Sequence, residues 1–182
     1  MVFKLFLWTG INNKNMKNEE LIILGIDPGT AITGWGVIRE NKQGIEMVAY
    51  GCIETSKNKT DVQRLKETAD DLEAIIKEYQ PDEMAIEELF FFKNLKTAIK
   101  VAQSRGVLMY VTAHNKISVD EYTPLQIKQA LTGYGRAEKK QMQIMVQQVL
   151  KLKDIPKPDD AADALAVAIC HQQSRKIAQL IK

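Results

Sequence analysis

The feature that most constrains the fold is a short apolar run that ends in an acid, within the segment LIILGIDPGTAITGWGVI at residues 21–38. The run opens with four apolar residues and has the length of a strand, so it predicts a buried β-strand. Asp27 follows where another apolar residue is expected, and Pro28-Gly29 then marks a turn before a second strand. A carboxylate at the end of a buried strand is costly unless its charge is compensated. Asp27 is therefore a turn-capping residue, or it is a metal ligand or catalytic acid, and this segment alone leaves both interpretations open.

Length and charge favour one ordinary globular domain with an uneven charge distribution. The chain has 182 residues and a net charge of only +2, so its overall charge indicates little about partners. Residues 93–140 carry nine Lys or Arg against three acids, a local excess of +6. Cys52 and Cys170 lie far apart and have no metal-ligand spacing, which predicts reduced thiols in a cytosolic protein.

The first residues form a separate segment. MVFKLFLWTG is too short to span a membrane and has no small-residue cleavage site typical of a signal peptide, and no other segment is apolar enough to cross a bilayer. Met16 resembles a natural start, so residues 1–15 are expected to be a disordered or loosely packed extension. We therefore divide the chain into an N-terminal extension, 1–20, and one domain, 21–182.

The apolar periods predict an α/β fold. Strands at 33–40 and 45–55, joined by the turn at 41–44, would continue the first strand as an antiparallel meander. A helix at 61–79 then leads to a strand at 83–89, which a right-handed crossover makes parallel to the first strand or close to it. The remaining predicted elements are a helix from the N-cap Asn94 to 113, a strand at 117–122, and helices at 124–131, 138–150 and 160–176. This order predicts a mixed five-stranded sheet flanked by helices.

Carboxylates interrupt the apolar patterns at three places. They are Asp27, the pair Glu87-Glu88 that closes a predicted strand, and the start of the last helix, DDAADALAVA at 159–168. In that helix Asp160 and Asp163 are three residues apart and share a face. The alanines around them allow the helix to pack closely against a sheet, so that its acids point at the sheet.

Each of these acids also has a purely structural interpretation. Asp159 and Asp160 could cap the helix, because acids favour its positive end, but Asp163 lies a turn inside among apolar residues. Glu87 and Glu88 could sit at a solvent-facing strand end, where adjacent side chains point to opposite sides of the sheet.

Four carboxylates meeting at one site would repel one another unless cations neutralised them. Oxygen ligands without a His or Cys cluster favour a hard ion, Mg²⁺ or Mn²⁺. Two such ions roughly 4 Å apart can clamp the attacking water and the leaving oxygen of a phosphodiester.

Several blocks of the sequence, in order and spacing, resemble the RuvC family of Holliday-junction resolvases. The match covers about residues 21–172. The blocks are GIDPGT, TGWGVI, AIEELF, QSRGV at 103–107, QIKQALTGYGRAEKKQ at 126–141, and DDAADALAVA. The resemblance implies a ribonuclease-H-like fold, with which the predicted order of elements is compatible.

The resemblance also implies roles for particular residues. The catalytic, metal-binding acids fall at four positions, with the D-A-A-D pattern selecting Asp160 over Asp159 and A-I-E selecting Glu87 over Glu88. They are Asp27, Glu87, Asp160 and Asp163.

The family's aromatic residue near the scissile junction falls at Phe90, and its basic residues near the site fall at Lys128 and Lys139. Phe90 could equally be a core residue, although an exposed phenylalanine suits stacking on an unpaired base. The two lysines could belong to a solvated face, but within the +6 segment phosphate binding is the better interpretation.

The implied activity is Mg²⁺-dependent resolution of four-way DNA junctions by a homodimer that works with the RuvA–RuvB branch-migration complex. Three alternative functions fit the sequence less well. An actin-like or sugar-kinase ATPase needs a second phosphate loop and a second domain, whereas this chain has only the loop at 132–135, which lacks an acid, and is too short. A non-cutting junction-binding module would not need all four acids. A smaller nuclease-like family acting in ribosomal RNA maturation shares the first motif but fits the later blocks poorly.

Overall fold

The computed structural model describes residues 20–89 and 95–180. Phe90, Asn94 and residues 1–19 of the predicted N-terminal extension lie outside these residues. The strands are β1 (Leu21–Asp27), β2 (Ile32–Asn41), β3 (Gly44–Glu54), β4 (Glu83–Glu87) and β5 (Ser118–Tyr122). The helices are α1 (Asp61–Tyr79), α2 (Leu95–His114), α3 (Pro124–Thr132), α4 (Lys139–Val149) and α5 (Asp159–Leu180).

The five strands form one mixed sheet in the order β3-β2-β1-β4-β5. β1, β2 and β3 pair antiparallel, which confirms the predicted meander. β4 pairs parallel to β1, and β5 pairs parallel to β4. The crossover through α1 therefore returns the chain beside its first strand, as predicted.

Helices cover both faces of the sheet because the side chains of β1 alternate between two apolar clusters. Leu24 and Ile26 pack with Leu72 of α1 and Leu108 of α2. Ile23 points the other way and packs in a cluster with α3, α4 and α5. Each of these fully buried β1 side chains contributes roughly 1.5–3 kcal/mol of hydrophobic free energy.

Local signals define where two of the helices begin. Thr60 before α1 and Thr123 before α3 each form a capping box, in which the threonine hydroxyl accepts from the backbone N–H three residues later and a glutamine side chain accepts from the cap N–H. Such a box satisfies two backbone donors at a helix start. The predicted bounds of α1 agree with the structure, whereas β4 ends at Glu87 rather than 89 and α5 continues to Leu180 rather than 176.

α5 lies unusually close to the sheet, because glycines of β1 and β2 face its alanine-rich side. A Cβ atom built on Gly25 would lie 2.2 Å from the backbone oxygen of Ala164, and one built on Gly34 would lie 1.9 Å from the backbone oxygen of Asp160. No side chain fits between the two backbones, so these glycines determine how close the start of α5 comes to β1 and β2. No helix in the described ranges is long and apolar enough to cross a membrane.

Candidate active site

Two of the predicted acids meet because their strands are parallel neighbours. Asp27 is the last residue of β1 and Glu87 the last of β4, and the residues before them, Ile26 and Ile86, are paired in register. Alternation along β1 and β4 puts both side chains on the face covered by α5. The two carboxylates therefore lie side by side at the carboxyl ends of these two interior strands.

The other two acids come from the start of α5, the helix that packs on this face of the sheet. Asp27 is paired with Gly34 on β2, and the backbone of Asp160 rests on Gly34. Asp163 follows one turn later on the same side of the helix. The four predicted acids are thus brought together from β1, β4 and the start of α5.

Burial and the proximity of the acids raise the pKa values of three of them. The pKa of Asp27 is raised to about 8, first by burial and then by the negative charges of Glu87, Asp163 and Asp160. Burial also raises the pKa of Glu87 and of Asp163. Asp27 and Glu87 are hydrogen bonded through their side chains, so without a cation the crowded pair is expected to hold a proton between them.

The two predicted basic residues lie beside these acids. Lys139 Nζ is 3.0 Å from Asp163 Oδ2 and 3.5 Å from Asp159 Oδ2. The Lys128 ammonium is close enough that its charge opposes the rise in the pKa of Glu87. Positive charge therefore borders the carboxylates on the side formed by α3 and α4.

The donor set fits a hard divalent cation, since it consists of carboxylate oxygens without nitrogen or sulfur ligands. As the side chains stand, no three His, Cys, Asp or Glu residues among those described are grouped closely enough to hold one ion. In this arrangement the Lys139 ammonium pairs with Asp163, and the raised pKa values of Asp27 and Glu87 favour a shared proton over two adjacent negative charges. Asp27, Glu87, Asp160 and Asp163 are the residues that would hold such an ion.

The neighbouring acids have different surroundings. Glu88 follows the end of β4, and its backbone N–H donates to the carbonyl of Tyr122 over 2.8 Å. In a continued strand its side chain would point away from Asp27. Asp159 is the first residue of α5 and pairs with Lys139.

One residue beside the site was given no role from the sequence. Arg105 of α2 donates through Nε to the backbone oxygen of Glu87 over 3.4 Å, and its Nη2 pairs with Glu121 of β5. It thereby ties α2 to the strand end that carries Glu87. Its place in the block QSRGV and in the basic segment is the only signal that could have indicated it.

Comparison with known proteins agrees with this architecture. The family model described as "Crossover junction endodeoxyribonuclease RuvC" matches residues 23–171. A protein of that name from Desulforamulus reducens is 56% identical over 84% of this chain and 94% of its own length. Another from Clostridioides difficile is 52% identical over 89% of this chain and 96% of its own.

A solved structure, described as T. thermophilus RuvC in complex with Holliday junction substrate, superimposes with a TM-score of 0.82 at 30% identity. The match covers 87% of this chain and 96% of that one. It confirms the predicted α/β, ribonuclease-H-like fold with a five-stranded mixed sheet. Family model, relatives and fold agree over most of the chain, which therefore belongs to the RuvC family of crossover junction endodeoxyribonucleases.

Proposed function

We propose that this chain is a Holliday-junction resolvase, a structure-selective endonuclease that makes symmetric nicks in four-way DNA junctions during recombination and repair. The observation that carries the proposal is the convergence of carboxylates from β1, β4 and α5 at the carboxyl ends of β1 and β4. Membership of a family named for this activity supports it.

The RuvC nucleases are metal-dependent, and we propose Mg²⁺ as the ion here, two per site, with Mn²⁺ as a substitute. Bound ions of this kind supply Lewis-acid activation of water and charge stabilisation of the leaving oxygen. Asp27, Glu87, Asp160 and Asp163 would hold them. Because burial and neighbouring carboxylates raise the pKa of Asp27, a cation and a proton would compete for the Asp27–Glu87 pair.

In the proposed reaction water attacks the phosphorus in line with the leaving 3′ oxygen. The P–O3′ bond breaks, leaving a 5′-phosphate and a 3′-hydroxyl that a ligase can rejoin. The chain's own contribution is to hold the phosphate against the carboxylates. We assign this role to Lys128 and Lys139, which is supported by the position of both ammonium groups beside the acids and by the ability of lysine to pair with backbone phosphates.

Three further parts of the proposal concern the substrate and partners. Phe90 would stack on an unpaired base at the junction centre. Two copies of the chain would act together, since a four-way junction is nearly two-fold symmetric and paired nicks require two matching sites. The RuvA–RuvB complex is the proposed partner, the cytoplasm the proposed compartment, and residues 21–182 the proposed nuclease domain.

The test is cleavage of a labelled synthetic four-way junction with and without Mg²⁺, by the wild type and by four amide variants. The variants are Asp27→Asn, Glu87→Gln, Asp160→Asn and Asp163→Asn. An amide keeps the shape of the carboxylate but supplies no charge to the ion, so each variant should lose several orders of magnitude in cleavage rate. Junction binding in Ca²⁺, measured by gel shift, should persist because basic residues provide most of the attraction.

Glu88→Gln and Asp159→Asn are the matched controls and should have mild effects. An inactive Glu88→Gln beside an active Glu87→Gln would show that the wrong glutamate has been assigned. Four amide variants that all still cut would contradict the metal mechanism, and a wild type that leaves the junction intact in Mg²⁺ would contradict the function itself.

A further inference from the structure

The loop between β1 and β2 begins directly after Asp27, the proposed metal ligand whose pKa is raised to about 8. Residues 28–31 join Asp27, the last residue of β1, to Ile32, the first of β2. The loop is tightly folded, since a Cβ atom built on Gly29 would lie 1.8 Å from the backbone oxygen of Ile32. The loop is covalently joined to Asp27, so its backbone position and the orientation of the Asp27 carboxylate are linked.

Backbone carbonyls of the loop are held by donors from outside it. Thr55, after the end of β3, donates its N–H to the oxygen of Ala31 over 3.0 Å and its hydroxyl to the oxygen of Thr30 over 3.4 Å. Arg64 of α1 also donates to that Thr30 oxygen, through Nη2. The same guanidinium donates through Nε to Thr55 Oγ1 over 2.9 Å.

The planar guanidinium of Arg64 therefore hydrogen bonds both to the loop after β1 and to the residue after β3. Among residues 20–89 and 95–180, no carboxylate lies within ion-pair distance of it, although Arg39, Arg105 and Arg175 each pair with an acid. It is half-buried, with its charge directed at neutral oxygens of the loop and of Thr55. A bidentate arginine of this kind restricts geometry more than a lysine can, since an ammonium is a point charge on a flexible stem.

We propose that Arg64 is a positioning residue for metal binding: by clamping Thr30 and Thr55 it holds the loop after Asp27, and so holds the Asp27 carboxylate where it can bind a cation together with Glu87. This rests on the proposed function of the same acids. Arg64 is inferred to act through the backbone and not through its charge. The pKa of Asp27 is raised by burial and by neighbouring carboxylates, with no contribution from Arg64.

The experiment compares Arg64→Ala, Arg64→Lys and Thr55→Val with the wild type. Arg64→Ala should raise the Mg²⁺ concentration for half-maximal cleavage, and for half of the metal-induced rise in Tm, by roughly 10-fold or more, as loss of residues that orient metal ligands does. Arg64→Lys should recover part of this shift. Thr55→Val removes the hydroxyl that accepts from Arg64 Nε. It should raise both Mg²⁺ midpoints, but by less than Arg64→Ala does.

Lys66→Ala is the matched control. Lys66 lies two residues further along α1 and pairs with Asp70 over 2.5 Å, away from the loop. Its removal should leave both Mg²⁺ midpoints unchanged, and junction binding in Ca²⁺ should be the same in all variants.

Three outcomes would overturn the proposal. They are unchanged Mg²⁺ midpoints in Arg64→Ala, equal shifts in Lys66→Ala, or a fall in metal-free Tm without any change of midpoint in the milder Arg64→Lys and Thr55→Val. If the wild type leaves the junction uncut, the proposed function fails, and the metal-induced change in Tm still decides whether Arg64 positions the acids.

Discussion

A substitution at Gly34 would test how the distance between α5 and the sheet positions Asp160, one of the proposed catalytic acids. The Cα of Gly34 faces the backbone oxygen of Asp160, and a Cβ built there would lie 1.9 Å from that oxygen and 2.4 Å from the carbonyl carbon. Real Cβ atoms essentially never come closer than 3.0 Å to such atoms. In Gly34→Ala the start of α5 must therefore move by more than about 1 Å, or β2 must bend by as much.

Two consequences follow, with different magnitudes. Overpacking of a well-packed contact costs about 1–3 kcal/mol, which for a chain of this size lowers Tm by roughly 2–12 °C. Misplacing a group at the reacting centre by about 1 Å costs on the order of 100-fold in rate. Cleavage of the junction should therefore fall far more than stability does, and circular-dichroism melts beside single-turnover cleavage would measure both.

Two other glycines give a graded comparison. In Gly36→Ala the nearest atoms are side-chain carbons of Leu165 at 2.7 Å, which can rotate away, so the loss of rate should be smaller. In Gly106→Ala nothing lies within 4 Å, and an alanine in a helix is favoured by about 0.5–1 kcal/mol. A Gly34→Ala protein that melts and cleaves like the wild type would refute the idea that this contact places Asp160.

Four further predictions concern pH, charge, stacking and the extension. The pKa of Asp27 is raised to about 8, so the folded metal-free protein holds this proton more tightly than the unfolded chain. Its stability should fall as pH rises from about 4 through 8, and denaturation in EDTA should show a flatter profile for Asp27→Asn. Lys128→Ala and Lys139→Ala should each slow cleavage or weaken junction binding and reduce the slope of log Kd against log salt by about 1; unchanged slopes would assign them to a solvated face. Phe90→Ala should slow cleavage with little change in Tm, whereas a loss of about 3–5 kcal/mol would identify a core phenylalanine. Protein that begins at Met16 should melt and cleave like the full chain, and a large drop in Tm would show that the first residues pack on the domain.

Much of the architecture could be read from local patterns in the sequence. The apolar run ending in Asp27, the turn after it and the helical period at 61–79 each depend on neighbours in the chain, which is why their positions agree with the structure. Chain connectivity and the handedness of crossovers then predicted the antiparallel meander and a fourth strand parallel to the first, whereas the position of β5 beside β4 was not predicted. The choice between a turn cap and a functional acid at Asp27 could not be made from its own segment, because the other acids lie 60 or more residues away in sequence.

Tertiary structure decided what the acids and their neighbours contact. Only packing brings Lys139 of α4 onto Asp163 of α5 and lets Asp27 share a hydrogen bond with Glu87. The roles of Gly34 and Arg64 likewise depend on distances between elements far apart in the chain. The physical reason is that periodicity and spacing report one element at a time, whereas burial, charge coupling and close backbone approach are properties of several elements packed together.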